Sequence, residues 1–168
     1  MELDAAARAK LERGDVLTSF TEVGGHKRAQ AQAVIRASVD DVWEAITDYD
    51  DYKNFMPHTR ESKVLSRKKN EVLFHTELEF PIKRIWYDIL LTLDKKSHRV
   101  DWTLKDGSIK HNEGSWALQK HEKAHTLATY TLATDPGFYI PKFLLEKATQ
   151  GTLPLVIEAV RKRVEQRS

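Results

Sequence analysis

Residues 110–160 read KHNEGSWALQKHEKAHTLATYTLATDPGFYIPKFLLEKATQGTLPLVIEAV, and the fold turns on a change of period inside them. Up to Asp135 the residues are strand-like, in two runs, Lys110 to Lys120 and Thr126 to Asp135, parted by the short turn His121 to Ala124. After Asp135-Pro136-Gly137 the period becomes helical. Pro141 suits a first-turn position, and Leu144, Leu145, Ala148, Leu153, Val156, Ile157, Val160 and Val164 make a broad apolar face. Gly151 and Pro154 lie inside this helix. A proline there loses an amide donor and clashes with the carbonyl four residues back, so a kink is expected near Gln150 to Pro154.

Working back toward the N-terminus, four more strands are expected: Ser62 to Arg67, Glu71 to Phe80, Lys83 to Asp94 and Arg99 to Lys105. Their turns, at Lys68-Lys69-Asn70, Pro81, Lys95-Lys96-Ser97 and Asp106-Gly107-Ser108, are short enough for sequential antiparallel pairing, so the economical topology is a meander. Before residue 59 the period is helical. Ser38 is placed to cap a helix carrying Asp41 three residues on, with Val39, Val42, Trp43 and Ile46 on one stripe. A second short turn, Tyr52 to Met56, is stopped by Pro57. Earlier still, Val16 to Val23 and Ala29 to Ala37 read as a hairpin around Gly24-Gly25, and Ala5 to Leu11 as a short helix ending at Gly14.

A sheet with one apolar face needs a cover, and only the C-terminal helix is long and apolar enough to supply it. The expected class is α+β: a curved antiparallel sheet wrapped around a long C-terminal helix, with two short helices after the early strands. Residues 1–14 are expected to form an arm and residues 15–168 one domain. Such a sheet leaves a volume that side chains need not fill, suited to an apolar ligand held by a few placed polar groups.

Composition removes several classes of function. With 27 Lys and Arg against 25 Asp and Glu the formal net charge is +2, too balanced to capture a nucleic-acid backbone, so no nucleic acid is expected as a partner. No cysteine is present, which excludes disulfides, thiolate catalysis and cysteine-ligated zinc or iron–sulfur sites. No apolar run approaches the roughly 18 residues of a membrane span, and the start lacks a basic stretch followed by an apolar one. As written, the sequence points to the cytoplasm; a removed signal peptide would make it periplasmic. Neither compartment nor oligomeric state can be read from it.

The run Ile35-Arg36-Ala37-Ser38-Val39-Asp40-Asp41-Val42-Trp43-Glu44-Ala45-Ile46-Thr47-Asp48-Tyr49, followed by Tyr52 and Phe55-Met56-Pro57, resembles the opening of the START-like helix-grip superfamily. Asn112-Glu113-Gly114-Ser115-Trp116, Thr129-Tyr130-Thr131-Leu132 and Asp135-Pro136-Gly137 bring it closer to the polyketide cyclase/dehydrase and coenzyme Q-binding branch. The likeness spans residues 30–165. It implies the helix-grip fold and a ligand cavity. It does not imply an enzyme, because the superfamily includes lipid carriers, quinone-binding proteins, cyclases and ribosome-interacting bacterial relatives.

Candidate cavity residues follow from type and position. Trp86, Trp102 and Trp116 fall in nearby strands and, with Tyr87, Tyr130 and Phe138, are suited to a ring or polyprenyl tail. Trp86 and Tyr87 are neighbours, so a regular strand turns only one of them inward. His75 and Glu77 share one strand face, as do His111 and Glu113, and such pairs suit proton transfer or, failing that, a solvated sheet surface. No residue is singled out as catalytic, and no cofactor is called for. The seven histidines are read as lacking H-E-x-x-H spacing, so no metal site is expected. The leading expectation is a non-catalytic protein that binds, and in one version transports, a small lipophilic ligand such as a quinone, lipid or polyketide, with peripheral membrane contact left open. One alternative is a cyclase or dehydratase using His75, Glu77 or Tyr87 as acid or base; another is a module that docks on the ribosome or another protein.

Overall fold

In a computed structural model of the chain, residues 4–23, 26–81, 83–135, 137 and 142–166 are described, with the side chains of 22–23, 26–27, 123 and 142–151 left aside. Phe138, Pro141 and the Gly24-Gly25 turn lie outside the described residues.

The elements follow the order α1 (Ala5–Glu12), β1 (Leu17–Val23), β2 (His26–Ile35), α2 (Val39–Ile46), a 3-10 turn (Tyr49–Asp51) and α3 (Tyr52–Phe55). Then come β3 (Thr59–Lys68), β4 (Glu71–Glu79), β5 (Arg84–Asp94), β6 (Arg99–Gly107), β7 (His111–His121), a 3-10 turn (Glu122–Ala124), β8 (His125–Asp135) and α4 (Lys142–Glu165). The strands form one curved, fully antiparallel sheet in the order β1-β2-β8-β7-β6-β5-β4-β3. The meander from β3 to β8 is thus present, and the first hairpin joins it through β2 against β8. Register shifts in β3, between Thr59 and Glu61 and between Val64 and Ser66, interrupt that edge ladder.

Local chemistry explains the boundaries. Ser38 takes an extended conformation and its Oγ accepts the Asp41 amide at 3.2 Å, starting α2. Asp4 does the same for α1, accepting the Ala7 amide at 2.7 Å. Gly14 follows α1 with φ +94, a conformation that glycine adopts without a side-chain penalty. The tip residues Lys69 and His98 hold positive φ in the two hairpins that the sequence marks with charged turns.

Alternation along each strand then decides the layers. Ala29, Ala31, Ala33 and Ile35 of β2 face inward and are buried, and this row of small side chains is the seat of α4. Among the described residues, α4 lays Leu153, Ile157, Val160 and Val164 into the core, together with Val42, Trp43 and Ile46 of α2. Each fully buried aliphatic side chain is worth about 1.5–3 kcal/mol. Exposed ion pairs such as Lys53–Glu61 are screened by solvent and add little, so packing rather than surface charge seats the helix. α4 runs on through Pro154 without ending there.

The basic tail of α4 is anchored to the fold. Arg161 donates to the Val34 carbonyl at 2.9 and 3.3 Å and pairs with Glu158 at 2.7 Å. Arg163 pairs with Asp48 at 2.6 Å and with Asp51, its guanidinium lying 4.2 Å from the Phe55 ring centroid. Both arginines therefore clamp α4 to β2 and to the segment around α3. Among the described residues, no helix is long and apolar enough to cross a membrane.

Candidate functional site

The inner face of β5 to β8 carries an aromatic wall. Burial in β6 and β7 falls on alternate residues, and this places Trp102 inward with Val100, and Asn112 inward with Trp116 and Leu118. Tyr87 faces the same way from β5, in phase with the buried Ile89 and Leu91, and Tyr130 does so from β8. Trp102 and Trp116 both lean on Tyr130, with ring centroids 5.8 and 4.7 Å away.

Polar atoms are set into this wall at few points. Trp102 Nε1–H donates to Asn112 Oδ1 at 2.9 Å, a fully buried contact. Burial pushes the Tyr87 phenol up to about 12, and the nearby Asn112 side chain partly offsets that effect. Burial likewise raises Tyr130 well above the ordinary phenol range, with the nearby Tyr87 adding to the effect. Both hydroxyls are therefore protonated at neutral pH and can donate a hydrogen bond. Among the described residues, the Tyr130 hydroxyl makes no hydrogen bond.

Gly114 shapes the wall. A Cβ there would lie 2.4 Å from Trp102 Cζ2 and 2.5 Å from the Thr131 carbonyl oxygen. The missing side chain lets the Trp102 indole lie across β7. One end of the wall is closed by a second aromatic group, in which Tyr49 and Tyr52 pack on Phe74 at 5.2 and 5.5 Å. Tyr52 donates to the Ile46 carbonyl. The Tyr49 hydroxyl is buried with no partner among the described residues, which leaves a donor facing the interior.

A different group occupies the opposite face. His75 lies directly across the β4–β5 ladder from Asp88, and Glu77 across from Trp86. His75 Nδ1 is 2.6 Å from Asp88 Oδ1, its Nε2 is 3.7 Å from Glu77 Oε2, and its ring lies 5.9 Å from that of Trp86. Trp86 is 38% exposed and the Glu77 side chain 48%. The buried set on β4, Val72, Phe74 and Thr76, takes the alternate positions and so turns His75 and Glu77 outward.

The candidates named from sequence thus fall on two faces. The fold brings Tyr87, Trp102, Trp116 and Tyr130 together on the inner face. It does not bring His75, Glu77 or Trp86 to them, and Phe138 lies outside the described residues. The acid–base alternative loses its imidazole and carboxylate to the outer surface. Asn112 and Gly114 lie in the motif that carries the family resemblance and have no site role on sequence alone. The signal was available, because Asn112, Gly114 and Trp116 are spaced by two and share a face. Their functional sense appears only with Trp102 from the next strand.

Comparison with known proteins agrees with this architecture. Residues 35–161 match the family model described as polyketide cyclase / dehydrase and lipid transport. A START superfamily protein from Mycobacterium smegmatis superposes with a TM-score of 0.75 at 17% identity, covering 86% of this chain and 100% of that one. The Zhui aromatase/cyclase from a Streptomyces species gives 0.75 at 16% identity, over 84% and 95% of the two chains. A STAR-related lipid transfer protein from Xanthomonas axonopodis gives 0.75 at 17% identity, over 89% and 93%. At such identities these likenesses speak for the START-like helix-grip fold, and the match over residues 35–161 speaks for descent: the chain belongs to the polyketide cyclase / dehydrase and lipid transport family.

Proposed function

We propose that this protein binds a small lipophilic ligand, of the quinone, lipid or polyketide kind, between the inner face of β5 to β8 and α4, as a carrier rather than a catalyst. Residues 15–168 are the binding domain in this reading, with 1–14 as an arm. The supporting observation is the aromatic wall itself: Trp102 and Trp116 each packed on Tyr130, with Asn112 fixing Trp102 and a Tyr130 hydroxyl left to a ligand acceptor. Apolar surface with a few oriented donors is what recognition of a lipophile with one or two oxygen functions requires.

Catalysis by this wall is less well supported. Its titratable groups are tyrosines whose protons are held more tightly than usual, which makes them hydrogen-bond donors and poor bases near neutral pH. The imidazole–carboxylate pair that could move a proton, His75 with Asp88, faces away from it. Native mass spectrometry of freshly purified protein, followed by organic extraction, tests the proposal. A discrete extra mass that extracts as a quinone, lipid or polyketide is expected. A clean apo mass, together with no uptake of a short-chain quinone or a lysophospholipid, would sink it.

A further inference from the structure

His121-Glu122-Lys123-Ala124-His125 has the order H-E-x-x-H, which corrects the expectation that the seven histidines lack that spacing. On a helix that spacing puts two imidazoles on one face. Here the five residues are not helical. His121 ends β7, Glu122–Ala124 form a 3-10 turn, and His125 opens β8, directly paired with His121 in the ladder. Strand pairing achieves what a helical turn achieves elsewhere, since directly opposed residues share a face with Cβ atoms about 4.5–5.5 Å apart.

A third element completes the group. α1 is held to the sheet by the buried Leu11 and presents Glu12, whose Oε1 lies 3.1 Å from His121 Nε2. Donor atoms of Glu12, His121 and Glu122 all lie within 4.8 Å of one another. Donors around a tetrahedral zinc ion, at bonds of about 2.1 Å, stand about 3.4 Å apart, so small side-chain rotations close the set. A lone Glu12–His121 ion pair would leave Glu122 as a second carboxylate beside the same imidazole. A divalent cation turns that crowding into ligation, and a mixed imidazole and carboxylate set suits zinc rather than magnesium or calcium.

We propose that Glu12, His121 and Glu122 form a zinc-class metal site that staples α1 to the β7–β8 hairpin, with His125, paired with His121 in the ladder, as the candidate fourth ligand. The site lies apart from the aromatic wall and does not depend on its function. Its role is structural, joining segments 109 residues apart in the chain.

The test is a zinc chloride titration of untagged, chelator-stripped protein by calorimetry, with hydrogen exchange followed across residues 5–12. One zinc per chain is expected, with slower exchange in α1 when zinc is bound. The double variant His121→Ala/His125→Ala should lose at least about tenfold in affinity. Glu12→Gln, which keeps size and exposure, should abolish the zinc-dependent protection of α1 while its circular dichroism stays that of the parent. Absence of zinc binding would overturn the proposal, and so would an affinity that the double variant leaves unchanged.

Discussion

Trp86 and Tyr87 are adjacent in the chain and belong to different surfaces of the molecule. Tyr87 joins the inner wall, where burial pushes its phenol up to about 12 and the nearby Asn112 side chain works against that shift. Trp86 lies outside, 38% exposed and leaning on His75. Each face carries aromatic rings, a polar pair and short contacts. The inner pair, Trp102 and Asn112, is neutral and buried, and the outer pair, His75 and Asp88, is ionisable and reaches solvent. One residue of strand alternation separates a setting suited to a lipophile from one suited to water. Chemistry-bearing residue types are therefore a poor guide to a site until the face is known.

The largest expected contrast is in stability. Trp102→Ala should cost about 3–5 kcal/mol in urea unfolding, through lost burial and the cavity left behind. A loss under about 1 kcal/mol would mean that the wall is loosely packed. Gly114→Ala comes next, at about 1–3 kcal/mol, because the new methyl meets both the Trp102 indole and the Thr131 carbonyl. Calorimetric melting together with indole fluorescence would show it, and an unshifted Trp102 signal would argue against the close approach.

A pH titration sharpens the same contrast. The folded state holds the Tyr87 proton above the ordinary value of 10.0, so its contribution to stability is complete below pH 10. That contribution is lost as pH rises toward about 12, on the order of 2 kcal/mol by the top of that window. Tyr49 and Tyr130, also raised by burial, push further in the same direction. Tyrosinate absorbance from these rings should therefore appear together with loss of far-ultraviolet dichroism. Ionisation of all of them near pH 10 with the fold intact would break the account. The smallest effect is expected outside: Trp86→Ala should change stability by no more than about 0.5 kcal/mol and leave uptake of a short-chain quinone unaltered.

Most of the architecture was legible in the sequence because its signals are local. Ser38 names its helix start, and charged tips such as Lys68-Lys69-Asn70 separate strands whose observed ends fall within about three residues of those expected. The site was only partly legible. Alternation shows that His75 and Glu77 share a face, and the set Val72, Phe74 and Thr76 could have shown that this face is the outer one. Gly114 is different in kind, since its requirement comes from Trp102, twelve residues earlier and in the neighbouring strand. The staple at His121 and His125 likewise depends on ladder register and on a carboxylate from α1, and periodicity carries neither.

The most direct test uses the four tryptophans as reporters, one in α2, one on the outer face and two in the wall. Indole N–H resonances, assigned by single substitution, would be followed in nuclear magnetic resonance spectra during addition of a short-chain benzoquinone and, separately, a lysophospholipid. The account predicts that at least one of these probes moves the signals of Trp102 and Trp116 with saturation while that of Trp86 stays in place. Movement of Trp86 alone, or of no indole with either probe, would contradict it.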